Sequence, residues 1–262
     1  MGLDHIKNDK TKNTAQIQQY FFNYLEEVKY KGIFGIAKFS SVYNDLMPVQ
    51  QETIKESLKG QLKEFMKMGS IVSLVIFYPS EFIDCINVQK NGVIDKERWD
   101  VYSDEYQRLN DMLREVSSEI ALNFNGIAFP PTIDVSYENF GSVTEYYPHT
   151  ISHRVVAEHA GIGWRGKNEL IITETHGPAI RLTSILINIP LNQNKKIENK
   201  CGECTACLNI CSFLKKKDSL KDYRENCNSY LMSLGLKHHV CGKCVKACFR
   251  DSIYREKFKL ED

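Results

Sequence analysis

Cys201-Gly-Glu-Cys204-Thr-Ala-Cys207-Leu-Asn-Ile-Cys211, followed later by Cys241-Gly-Lys-Cys244-Val-Lys-Ala-Cys248, decides what kind of protein this is. Thiolates spaced C-x2-C-x2-C wrap one iron-sulfur cubane, while a fourth after three further residues starts a helix that points away and ligates a different cluster. The second run, with Cys227 ahead of it, is an incomplete wrap whose last cysteine can return to the first cluster. Spacing therefore assigns Cys201, Cys204, Cys207 and Cys248 to one 4Fe-4S cluster, and Cys211, Cys227, Cys241 and Cys244 to another. Two structural zinc sites are the competing reading, because C-x2-C pairs also build tetrahedral thiolate centres. The triple spacing adds a third thiolate that zinc does not need.

Working outward, the 262 residues are 42% hydrophobic, 26% charged and 11% aromatic, enough to bury a core and too apolar for a disordered chain. Lys plus Arg (34) nearly cancels Asp plus Glu (33), so no global field favours nucleic acid or anionic lipid. Eight of the nine cysteines lie between Cys201 and Cys248. The N-terminus has no hydrophobic signal core, and the longest apolar run, residues 71–78, is far shorter than the roughly 20 residues of a membrane helix. A cytoplasmic protein without a membrane partner is expected. In a reducing compartment clustered cysteines are metal ligands or redox groups rather than disulfides. Cys85, beside Phe82 and Ile83, reads as a buried small hydrophobe.

Apolar positions at helical spacing predict helices over residues 14–31, closed by Gly32, and over 51–68, 102–123 and 150–159. Strands are expected at 33–39, at 71–78 where Pro79 ends the run, and at 169–173 and 180–189. Residues 132–147 resist assignment. The polar stretch 192–200 suits a linker, and places a domain boundary near Asn199.

Gly161-Ile-Gly-Trp-Arg-Gly-Lys-Asn168 is one residue short of a P-loop, since Asn168 replaces the hydroxyl that would hold magnesium. A helix before it and a strand after it also reverse the P-loop order. Two readings remain: a turn with glycines in left-handed positions, or a loop whose glycines let the backbone approach a large flat ligand lined by Trp164 and Lys167. Glu145-Tyr-Tyr-Pro-His149 groups acid, phenol and imidazole, either as packing or as a proton source. The histidines show no metal-binding spacing, and Lys215 to Lys217 reads as a solvated face or as a guide for an acidic donor or a nucleic acid.

Four stretches resemble the epoxyqueuosine reductases, iron-sulfur and cobalamin enzymes of transfer-RNA modification that are themselves similar to reductive dehalogenases. They are Phe34-Gly-Ile-Ala37; Ala157-Glu-His-Ala-Gly-Ile-Gly-Trp-Arg-Gly-Lys-Asn168 with the strands running to Leu191; Cys227-Asn-Ser-Tyr-Leu231; and the double cysteine framework. Ferredoxin-type wraps usually carry proline after the fourth cysteine; Ser212 and Phe249 stand there instead, at positions that do not ligate iron.

The resemblance implies an α+β fold: a nitroreductase-like cobalamin-binding domain over residues 1–199, then a ferredoxin-like double 4Fe-4S module over 200–262. It implies a corrinoid over the loop, with Gly161, Gly163, Trp164, Gly166, Lys167 and Asn168 as cofactor-binding residues, reduced one electron at a time by the clusters. No D-x-H-x-x-G stretch occurs, so that motif's histidine would be missing as lower ligand. The family's acidic proton donor falls near Tyr147, where a phenol stands, with Tyr146 and Glu145 as neighbouring alternatives. A phenol is a weaker acid than a carboxylic acid, yet protonates a strongly basic centre, as in reductive dehalogenases.

The expected function is thus a two-cluster, corrinoid-dependent reductase of a small-molecule or nucleoside substrate, served by a low-potential electron donor protein. The alternative is an electron-transfer or activator protein without corrinoid. Epoxide reduction in queuosine is left doubtful by Tyr147. Transfer RNA is left doubtful too, since the chain stops at Asp262 without the helical-repeat extension of many family members.

Overall fold

Ser70–Phe77 is buried at every position, and such a run forms a strand only where both sheet faces are covered. The computed structural model describes residues 9–132, 140–220 and 222–258. Its elements begin with α1 (Lys10–Val28), β1 (Gly32–Lys38), α2 (Phe39–Asp45), α3 (Pro48–Ser57), α4 (Leu62–Met68), β2 (Ser70–Phe77) and α5 (Ser80–Asp84). The hairpin β3 (Gln89–Lys90) and β4 (Val93–Ile94) leads to α6 (Lys96–Asn123), β5 (Ile127–Phe129), α7 (Val143–Tyr146) and α8 (His153–His159). Then come β6 (Trp164–Arg165), β7 (Ile171–Ile172), β8 (Ile180–Ile187), α9 (Ala206–Ile210), α10 (Ser212–Lys215), α11 (Tyr223–Leu234) and α12 (Lys243–Asp251).

The chain divides into two compact units. The first comprises the described parts of Met1–Ile76, Asp111–Trp164 and Leu182–Glu198. Its sheet runs β1-β2-β8-β5, with β1 antiparallel to β2 (Gly32 opposite Ile76) and β5 antiparallel to β8 (Ile127 opposite Leu186). Helix α1 buries Ile17, Phe21 and Leu25, and its Tyr20 hydroxyl donates to Glu119 and its Tyr24 hydroxyl to Glu115, both at 2.7 Å. The Phe34-Gly-Ile-Ala37 stretch lies in β1, where a Cβ on Gly35 would sit 2.2 Å from the Ala160 carbonyl oxygen.

Four expectations need correction. Helix α1 ends at Val28 with Lys29 in the left-handed region (φ 60°), not at Gly32. Gly32 instead opens β1, because a Cβ there would lie 2.2 Å from the Val75 oxygen. The helix read over 51–68 is two helices, broken where Lys59 and Gly60 take φ of 45° and 89°. The helix read over 102–123 begins earlier, at Lys96. Of the strand read over 169–173 only Ile171–Ile172 forms, paired with Trp164–Arg165, since the chain turns at once into the Thr173 to Gly177 bridge. In the unassigned stretch, Val143–Tyr146 is helical and Tyr147–His149 forms a 3-10 turn, while residues 133–139 lie outside the described residues.

Gly161 caps α8 as read, at φ +64°, and a Cβ there would stand 2.4 Å from the Lys195 oxygen. Gly60 has a left-handed φ of +89° too, with nothing within 4 Å of the added atom. Gly60→Ala should therefore cost only the left-handed strain, about 1–2 kcal/mol. Gly161→Ala should cost measurably more in chemical denaturation; equal losses would show that the carbonyl moves aside freely.

The second unit gathers Phe77–Asn110, Arg165–Arg181 and the described part of Asn199–Asp262. A boundary drawn along the chain near Asn199 therefore does not by itself delimit this unit. Helix α12 buries Val245, Ala247 and Phe249 and packs on α9. Its Lys246 donates to the carbonyls of Asp84 and Ile86 at 3.0 and 2.8 Å, and Arg250 grips the Asp84 carboxylate by two nitrogens. Fully buried Trp99 donates its indole N–H to the Cys241 carbonyl at 2.9 Å. Among the described residues no helix is long and apolar enough to cross a membrane.

Candidate metal centres

All nine cysteines are free thiols. Cys85 is buried, as a small hydrophobe would be, and its thiol donates to the Glu81 carbonyl. The other eight sort into two neighbourhoods that cross the order of the chain. Burial pushes the Cys207 thiol up to about 11, and Cys201 and Cys204 beside it add to the rise. Cys248 is pushed up by burial as well, and the thiols that face it are Cys207, Cys201 and Cys204 rather than those of its own run. Burial raises Cys227, with Cys211 as its thiol neighbour. Cys241 is raised by burial to about 11, beside Cys227 and Cys211. Cys244 is raised by burial, then by Cys241, Cys227 and Cys211, with Cys207 a weaker neighbour.

Two helices produce this arrangement. Helix α12 carries Cys244 and Cys248 four residues apart, hence on one face a turn apart. Its packing on α9, which carries Cys207, brings Cys248 to the first wrap while Cys244 stays with the second. The backbone amides of Cys207 and Leu208 near the Cys207 sulfur, and that of Lys243 near Cys241, each ease the thiolate form. Lys243 Nζ donates to the Tyr230 hydroxyl at 2.5 Å and lies 5.6 Å from the Trp99 ring centre, adding positive charge beside Cys241. Among the described residues no three His, Cys, Asp or Glu side chains converge as a site for one metal ion.

The Gly-rich loop makes specific contacts of its own. Trp164 is buried, at 3% exposure, and opens β6. Lys167 Nζ donates to the carbonyls of Gly202 at 2.6 Å and Cys204 at 3.0 Å, both inside the first cysteine wrap. Asn168 is buried, its Oδ1 accepting from the Leu170 amide. Gly166 is needed for close approach, since a Cβ would lie 2.7 Å from Ile172 and 2.9 Å from Asn168. Gly161 serves the α8 cap, and Gly163 is buried between the two. Trp164 is thus packed into the protein, and the Lys167 ammonium is held by two carbonyls of the first cysteine wrap.

Tyr147 is half-buried at the start of the 3-10 turn, and among the described residues nothing binds its hydroxyl. Its neighbours are committed: the Tyr146 hydroxyl donates to the Thr132 carbonyl at 2.8 Å, and Glu145 accepts from the Gly141 amide at 2.9 Å. Sequence reading missed the supporting groups: Trp99, Tyr230, Lys243 and Asn199, whose side chain joins the Arg165 carbonyl to the Cys201 amide. Of these Asn199 and Lys243 carried a signal through adjacency to the cysteines, and Tyr230 through the Cys227-Asn-Ser-Tyr-Leu231 stretch; Trp99 carried none. His153 is buried between Ser184 Oγ and the Pro130 carbonyl, at 2.8 and 2.9 Å, a structural placement consistent with no ligand role.

No family model matches the chain. Among curated proteins it is similar to epoxyqueuosine reductase from Bacillus cereus, 29% identical over 145 residues, covering 54% of this chain and 34% of that one. The Bacillus subtilis enzyme of the same name is 29% identical over 153 residues, covering 55% and 34%. The chain spans about a third of the length of these relatives. Among solved structures, a selenomethionine-labelled epoxyqueuosine reductase aligns with TM-score 0.52 and 17% identity over 95% of this chain and 68% of that one. A catabolic reductive dehalogenase in complex with 3-bromo-4-hydroxybenzoic acid aligns with TM-score 0.60 and 13% identity, covering 92% and 32%. These likenesses show a mixed α/β fold shared with both kinds of protein. One expectation falls here. Transfer RNA was set aside as doubtful, yet the curated relatives are named epoxyqueuosine reductase.

Proposed function

We propose that this chain, a relative of the epoxyqueuosine reductases, is an iron-sulfur oxidoreductase that relays electrons through two 4Fe-4S clusters to reduce a modified nucleoside or a similar electrophile. The observation that carries this is the crossing of the cysteine sets, with Cys248 facing the Cys201 wrap and Cys211 facing Cys227, Cys241 and Cys244. Paired clusters that exchange their fourth ligand need that crossing. A zinc centre needs four thiolates, and the C-x2-C-x2-C spacing of the first wrap supplies a third thiolate in one run that a pair of C-x2-C zinc arms does not need. The donor set thus fits two clusters. The finer architecture, a nitroreductase-like domain followed by a ferredoxin-like module, belongs to the same proposal. With transfer RNA restored as a partner class, a nucleoside held in a tRNA loop leads the candidate substrates.

The chain's own residues would act as follows. Buried thiols hold their protons until iron supplies compensating charge, so loading of each site releases protons. Amide donors at Cys207 and Cys241 set how readily the sulfurs carry added charge. Tyr147 holds a proton at its hydroxyl for the reduced substrate. A corrinoid, where bound, would supply a strongly reducing cobalt, with the loop at residues 161–168 the expected place for it. The burial of Trp164 and the engagement of Lys167 by two carbonyls favour one second reading, an electron-transfer protein without corrinoid.

Anaerobic purification with reconstituted clusters, followed by iron, sulfide and cobalt analysis, separates these readings. About eight irons are expected. Stoichiometric cobalamin binding with turnover of an epoxyqueuosine-containing tRNA stem loop supports the reductase. Eight irons with neither moves the function to electron carriage, and zinc without sulfide overturns both.

A further inference from the structure

We infer that Lys167 is a positioning residue for the first cluster, holding the Cys201 wrap by two of its carbonyls and supplying the fixed positive charge that raises that cluster's reduction potential. This rests on the iron-sulfur reading of the cysteines. It also gives the Gly-rich loop a task other than lining a flat ligand.

The loop meets the wrap at several points within the second unit. Lys167 Nζ donates to the carbonyls of Gly202 and Cys204 at 2.6 and 3.0 Å. Asn199 donates to the Arg165 carbonyl at 2.7 Å, while its own side-chain oxygen accepts from the Cys201 amide at 2.8 Å. The two residues therefore tie residues 165–167 to both ends of the segment from Cys201 to Cys204. The glycine before Lys167 is what lets the loop come close: a Cβ on Gly166 would meet Ile172 and Asn168 below 3 Å.

Both partners of the Lys167 ammonium are neutral peptide carbonyls, so its charge is not cancelled by them. Of the neighbouring carboxylates, Glu169 pairs with Lys217 at 2.6 Å and with Arg224, and Glu174 with Lys200, while Glu203, between the two carbonyls, is exposed to solvent. Peptide groups are planar and trans, and no cis bond occurs here, so carbonyls drawn to the ammonium turn the Glu203 and Thr205 amides away from it. Charge and hydrogen bonding around the sulfurs are what set an iron-sulfur potential. An added electron is favoured by positive charge held nearby in a partly buried site. Loss of that charge must make reduction harder.

The test is a potentiometric titration, followed by electron paramagnetic resonance, of the anaerobically reconstituted full chain. Three variants are compared with the parent: Lys167→Met, Lys167→Gln, which keeps amide donors for the carbonyls, and Lys167→Arg, which keeps the charge. The first cluster is identified as the signal lost in Cys248→Ala. In Lys167→Gln and Lys167→Met the first cluster's reduction equilibrium should shift about tenfold toward the oxidised form, ~59 mV for one electron. The second cluster should be unmoved, and Lys167→Arg should restore most of the shift. An unchanged first-cluster potential in an assembled Lys167→Gln protein overturns the inference. Loss of the first cluster from both Met and Gln variants also overturns it, leaving a purely structural clamp. If the parent chain assembles no clusters, the iron-sulfur reading fails first and takes this inference with it.

Discussion

Cys248→Ala removes the first cluster and spares the second. Iron should fall from about eight to about four per chain, the content of one cubane. The surviving signal should be that of the cluster held by Cys211, Cys227, Cys241 and Cys244. Chain order alone would forecast the reverse, since Cys248 is the last cysteine of the run that begins at Cys241. The structure turns it the other way, because one helical turn separates it from Cys244 and its thiol faces Cys201, Cys204 and Cys207. Cys211→Ala is the mirror experiment and should cost the second cluster while leaving the wrap that precedes it in sequence. Loss of the Cys241 cluster alone in the Cys248 variant would show that the sets are not crossed. The substitution removes a sulfur from a half-buried position and adds no bulk, so the fold should persist.

Tyr147→Phe lowers turnover by about 10²- to 10⁴-fold, the usual contribution of a positioned general acid, while both clusters remain. The ring stays and only the hydroxyl goes, so packing in the 3-10 turn is preserved. The neighbours make the choice of residue: Tyr146 spends its hydroxyl on the Thr132 carbonyl, and Glu145 accepts from the Gly141 amide. Tyr146→Phe should accordingly act on stability, by about 1 kcal/mol for one hydrogen bond, and not on the chemical step. Unchanged turnover in Tyr147→Phe with iron content intact removes Tyr147 from the mechanism. A pH profile of the residual activity separates a lost proton donor from a general slowing.

Much of the fold was legible because local patterns report local structure. The run at 71–78, apolar but for Ser73 and ended by Pro79, read as a buried strand, and α6 showed itself through three and four residue periodicity. Misreadings occurred where a backbone neighbour from elsewhere in the chain outranked the local signal. Gly32 looked like a helix stop, but is present because the Val75 carbonyl lies against it. The break at Lys59 and Gly60 was hidden because helical spacing resumes on its far side.

The sequence by itself carried the expectation of two clusters, down to which thiols belong together, because ligand wrapping and the exit of a helix from it are short-range matters of spacing. It also placed the loop at residues 161–168 and the cap at Gly161. Only the tertiary structure decided what that loop touches. Lys167 reaches Gly202 and Cys204 across a chain separation of 35 and 37 residues, and Trp99 reaches Cys241 across 142. No periodicity or spacing records such contacts, since they depend on how strands and helices pack after each has formed. That is why a lysine legible as a ligand-lining cation became, in the folded protein, a clamp on the first cysteine wrap.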